Sequence, residues 1–155
     1  MLRYSISMAC LATLLFLAVD VSNALAENNQ PSGTPITIAV GETSMTAILN
    51  DSDAAKSFIR LLPQTLSMNR LFDREYYTTL PEALASGGSD LQQTYEVGDV
   101  AYWPSQRYFG LLFDHTRPLS SPIIILGKIT SDVHVLDALG EVETMTITVT
   151  KDAQK

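Results

Sequence analysis

The chain has 155 residues, with 10 Lys and Arg against 17 Asp and Glu and a formal net charge of −7. That balance repels phosphate backbones and anionic headgroups, so it argues against a nucleic-acid partner and a membrane-surface role, and solubility is its plainest use. A single cysteine, Cys10, leaves no internal disulfide.

The N-terminus reads as a targeting segment. Residues 1–7 carry one cation, Arg3, and residues 8–19 are apolar around Leu11, Leu14, Leu15, Phe16 and Leu17. Ala24-Leu25-Ala26 then stands before Glu27 as an A-x-A cleavage pattern. This order predicts a secretory signal peptide over residues 1–26 and a periplasmic or secreted mature domain with no membrane contact after cleavage. A retained anchor is the alternative, but a spanning helix needs about 20 apolar residues, and Asp20 interrupts this run. Cleavage leaves about 129 residues, one domain's worth, and removes Cys10. Without a cysteine the mature chain has no thiol nucleophile and no thiolate metal site.

Residues 27–34 (ENNQPSGT) are polar and read as a disordered lead-in to a domain over residues 35–151. Ile36, Ile38 and Val40 alternate with Thr37 and Ala39. After Gly41-Glu42, Met45, Ala47 and Leu49 alternate in the same way. Period two with a turn between predicts a hairpin with one face buried. Asn50-Asp51-Ser52-Asp53 is a helix-start signal, because a short side-chain oxygen accepts a free first-turn N–H. Ala54, Ala55, Phe58, Ile59 and Leu62 follow at helical spacing, with Lys56 and Arg60 facing out, and Pro63 stops the helix.

Residues 65–68 and 75–79 suit strands. Pro81 opens a short predicted helix, PEALA, which Gly87-Gly88-Ser89 would break. Strands follow at 100–103, 107–113 and 123–129, with Pro104-Ser105-Gln106 as a turn. Residues 133–139 form a short helical pattern closed by Gly140, and ETMTITVTK (143–151) is the clearest half-buried strand. About eight strands in so small a domain tend to curl and close. The fold class expected is mainly β: a closed eight-stranded barrel, with one main helix and one or two short helices covering its ends.

The order of these pieces resembles the bacterial cyclophilin-like domain family, over residues 36–149. LLPQTLSM, YYTTLPE and GDVAYW, followed by LGKI, carry the resemblance. It implies an eight-stranded closed barrel. It implies little about activity. True cyclophilins isomerise prolyl bonds with an arginine facing an apolar pocket, but their Phe-His-Arg motif and the Phe-Met-x-Gln-Gly-Gly-Asp run after it are not in this sequence, so no residue carries over.

Three function classes remain. A prolyl isomerase needs a cation beside an apolar pocket, and Arg70, Arg74 and Arg107 are its candidates. A binding module for an unknown small ligand or peptide is favoured. AYWPSQRYF gathers the single Trp, two Tyr and a cation near one hairpin, and Tyr and Trp offer an apolar face with a polar tip. The candidate binding residues are Met68, Tyr77, Tyr102, Trp103, Arg107 and Phe109, although large apolar residues are mostly core. A non-catalytic protein-docking domain is the third class. No cofactor and no metal are expected. Asp114-His115 are adjacent and would point to opposite faces of a strand. Asp132 with His134 supplies two ligands where a catalytic metal usually takes three.

Overall fold

The computed structural model describes residues 32–115 and 117–151. The expected signal peptide and residues 27–31 of the lead-in lie outside them.

The alternating segments fold as expected. β1 (Thr34–Val40) and β2 (Thr43–Leu49) form an antiparallel hairpin in which Ile36, Ile38, Val40, Met45, Ala47 and Leu49 are buried. α1 (Asp53–Leu61) starts at Ser52, whose Oγ accepts from the Ala55 N–H, and buries Ala54, Ala55 and Phe58. An N-cap of this kind contributes about 1 kcal/mol. β3 (Gln64–Leu71) and β4 (Glu75–Thr79) pair antiparallel, as do β6 (Asp99–Trp103) and β7 (Tyr108–Leu112). β8 (Ile123–Ile129) and β9 (Val142–Val149) complete the main set. β5 (Leu91–Gln92) is a two-residue addition at the edge of β8.

The strands run in the order β2-β1-β9-β3-β4-β7-β6-β8, and β2 pairs with β8 to close the ring. The result is a closed eight-stranded antiparallel barrel with one extra strand. Closure leaves those eight strands no free edge. Alternate residues point inward and fill the interior, among them Met68, Tyr76, Tyr102, Phe109, Leu111 and Ile147. α1 covers the mouth where β2 ends and β3 begins, and Phe58 reaches in to stack on Phe109 with ring centroids 4.5 Å apart. A 3-10 turn (Val133–Ala138) covers the opposite mouth, between β8 and β9, with Leu136 in the core.

One local expectation changes. Residues 81–85 are not helical, and a 3-10 turn forms instead at Gly88–Asp90. The reason is tertiary. The Leu84 N–H donates to the Tyr102 hydroxyl (3.1 Å), the Ala85 N–H donates to Ser57 Oγ (3.1 Å), and the Pro81 carbonyl accepts from Arg107 (3.3 Å). The backbone groups that a helix would use are already taken, while Leu80 and Leu84 gain core burial.

A second apolar layer sits outside the barrel wall. Ala101, Trp103, Leu112 and Ile123 point outward and pack with Tyr95, Tyr108, Leu119 and Ile125. The segments carrying Tyr95 and Leu119 thus lie against the outer face of β6 and β7.

Candidate functional site

The mouth opposite α1 carries the most chemistry. Arg70 closes β3 with its side chain turned inward, 11% exposed. Its Nη1 donates to the carbonyls of Leu136 (3.0 Å) and Leu139 (3.2 Å) and to the Tyr76 hydroxyl (3.3 Å). Nη2 pairs with Asp73 at 3.1 Å. The bond to Tyr76 leads the interactions that hold this guanidinium more firmly protonated than usual. Arg70 therefore satisfies the Leu139 carbonyl at the end of the 3-10 turn and adds a second donor to the Leu136 carbonyl, which also accepts the Leu139 N–H (3.3 Å).

Between β3 and β4 the turn passes through Phe72 at φ 55, a left-handed conformation unusual for an aromatic residue. This throws the ring outward, 52% exposed. Arg117 lies over it, its guanidinium carbon 4.1 Å from the ring centroid. Arg70, Phe72, Asp73, Arg117 and Glu141 line a cleft of about 390 Å³. A second cleft of about 260 Å³ starts from the other side of Arg117 and runs past Tyr95, His115, Pro118 and Leu119. Among the described residues, Arg117 has no carboxylate partner.

The floor of the second cleft is well anchored. The Tyr95 ring stacks on His115 (4.9 Å), and its hydroxyl donates to the carbonyls of Asp114 (2.8 Å) and Arg117 (3.1 Å). Burial raises the pKa of that hydroxyl. Beneath lie Arg74 and Glu75, both buried, with Nε to Oε2 at 2.9 Å. Arg74 Nη1 also donates to the Pro118 carbonyl (2.9 Å), while its own carbonyl accepts from the Phe113 N–H (2.8 Å). These bonds pin Phe113 and Pro118 to the barrel. Burial raises the Glu75 pKa, with Arg74 opposing it.

The residues singled out from the sequence are not brought to one groove. Met68, Tyr102 and Phe109 point into the sealed barrel. Tyr77 and Trp103 lie on the outer face near Gly110, Tyr77 against Tyr108 (5.0 Å) and Trp103 in the outer cluster at 5% exposure. Arg107 is exposed on the β6–β7 turn at φ 58. The link to the clefts is indirect: Tyr95 and Leu119 pack with Trp103 below and line the second cleft above. None of the three arginines considered for isomerisation is presented to an apolar cleft. Arg70 and Arg74 are internally bonded, and Arg107 holds the Pro81 carbonyl.

Sequence reasoning missed Phe72, Tyr95, His115, Arg117 and Glu141 as a group. Phe72 alone left a signal, an aromatic at the tip of a polar turn (Phe72-Asp73-Arg74). At the α1 end, a cleft of about 510 Å³ beside Ser57 and Arg60 has these side chains bonded to one another (2.9 Å). A cleft of about 300 Å³ there, lined by Leu62, Pro63, Thr148, Val149 and Lys151, is mostly apolar.

A family model described as "Cyclophilin-like family" matches residues 38–150. No curated protein matches the chain. Among solved structures, the solution structure of the hypothetical protein AF2241 from Archaeoglobus fulgidus is similar, with a TM-score of 0.64 and 19% identity. It covers 79% of this chain and 99% of its own. At that identity the likeness speaks to the fold.

Proposed function

This chain belongs to the cyclophilin-like family, and from that premise we propose that it is a binding module for a small ligand or peptide, seated in the two clefts that meet at Arg117. One observation carries the reading. Arg117 is stacked on an outward-facing aromatic in a left-handed turn, flanked by a cleft on either side and without a carboxylate partner among the described residues. A bulky residue held at positive φ costs about 1–3 kcal/mol and persists where the surroundings impose it. Such strain concentrates at ligand clamps. The guanidinium supplies directional donors and Phe72 supplies an apolar face, a common division of labour in a recognition site.

The residues first picked from the hairpin keep a supporting part here. Trp103 lies in the wall against which Tyr95 and Leu119 pack, and Tyr77 lies against Tyr108 of the same cluster. We place the module outside the cytoplasm, periplasmic or secreted, on the strength of the apolar run at 8–19 and the Ala24-Leu25-Ala26 pattern.

The test is a thermal-shift screen of a metabolite and dipeptide library, run on the domain from Glu27 and on its Arg117→Ala form. Ligands that raise the melting temperature of the first and not of the second support the reading. A library without stabilising compounds, or ligands indifferent to Arg117, would overturn it.

A further inference from the structure

The 390 Å³ cleft has charges of both signs on its wall, and they are not equivalent. Arg70 and Asp73 are already joined at 3.1 Å, and Arg70 is spent on the 3-10 carbonyls. Arg117 and Glu141 are different. Both line the cleft, and among the described residues neither forms an ion pair within 4.0 Å, either with a third group or with the other. One cation and one anion therefore face the same space with their charges uncompensated.

We propose that this cleft takes a small zwitterion, an α-amino acid or a free dipeptide, with its carboxylate on Arg117, its ammonium on Glu141 and an apolar side chain against Phe72. This rests on the binding-module reading above. The charges select against simpler ligands. A dianion would meet Glu141 and Asp73, and a dication would meet Arg70 and Arg117, each at the cost of like-charge contacts. A molecule with both signs satisfies both free groups. The guanidinium of Arg117, held against the Phe72 ring, keeps its N–H edge available, and that fork suits the two oxygens of a carboxylate. The cleft stands at the small end of ligand sites, which span about 300–1,000 Å³, so a dipeptide fits it better than a long peptide.

Calorimetry with L-phenylalanyl-glycine, its N-acetyl form and its C-terminal amide tests this on the domain from Glu27. The free dipeptide is expected to bind, and either block to weaken it at least tenfold. Glu141→Gln should erase the penalty for acetylation and leave that for amidation. Arg117→Ala should do the reverse. Both side chains are exposed, so neither variant endangers the fold. Equal binding of the three forms would overturn the zwitterion, as would no binding of the free dipeptide. If other library compounds still bound through Arg117, the binding-module reading would stand without it. If nothing bound, both would fall.

Discussion

Arg70 and Tyr76 face each other across β3 and β4 and divide the end of the 3-10 turn between them. Arg70 donates to the carbonyls of Leu136 and Leu139, and Tyr76 donates to that of Gly140. Two neighbouring strands thus hold down the lid over one mouth of the barrel, and the lid in turn fixes Glu141 at the cleft rim.

Replacing Arg70 with Ala leaves the Leu139 carbonyl without its donor and the Leu136 carbonyl with the Leu139 N–H alone. An orphaned acceptor costs about 1–3 kcal/mol, so Arg70→Ala should lose about 2 kcal/mol in urea unfolding. Arg70→Lys should recover only part, because one ammonium cannot reproduce the fork. Full stability in Arg70→Ala would show that the lid does not depend on it.

Phe72 separates stability from binding. Glycine relieves the left-handed backbone but adds chain entropy of about 0.5–1 kcal/mol and loses the Arg117 stack, worth about as much. These terms nearly cancel, so Phe72→Gly should stay within about 1 kcal/mol of the parent while its ligand affinity falls at least tenfold. Unchanged affinity in the thermal-shift or calorimetric measurement would remove Phe72 from the site.

Glu75 should show itself in the pH dependence of stability. Its folded pKa is raised by burial, so its contribution is fully present below the ordinary glutamate value of about 4.3 and is lost as pH rises through the folded value. Glu75→Gln should lack that decline. Parallel pH–stability curves for the two proteins would contradict this account of the pair.

The barrel seam is sensitive at Gly127. A Cβ there would lie 2.2 Å from the Ile48 carbonyl oxygen, where β2 meets β8, whereas at Gly110 it would meet the Trp103 ring at 2.8 Å. A side chain can shift and a paired backbone cannot. Gly127→Ala should therefore cost more than Gly110→Ala, for which about 1–3 kcal/mol is typical of overpacking. Denaturant midpoints would decide the order.

The barrel was legible because it rests on period-two alternation. Met145 and Ile147 announce β9, and 75–79 and 123–129 match β4 and β8 residue for residue. The PEALA segment misled because its local signal, Pro81 at a helix start, was outweighed by distant partners, Tyr102 and Ser57. The cleft was not legible for the same reason. Phe72, Tyr95, Arg117 and Glu141 come from four separate connections, and only the long-range pairing of β9, β3, β4, β7 and β6 brings those ends to one mouth. Burial of Trp103 followed from a second layer of loop packing that no periodicity in 93–98 or 113–122 predicts.

The most direct measurement is amide chemical-shift mapping of the isotope-labelled domain against the ligands found by screening. A binding module at this mouth predicts shifts confined to residues around Phe72, Tyr95, Arg117 and Glu141, and absent in Arg117→Ala. Shifts clustered at the α1 end, around Pro63 and Val149, or persisting in Arg117→Ala, would contradict it.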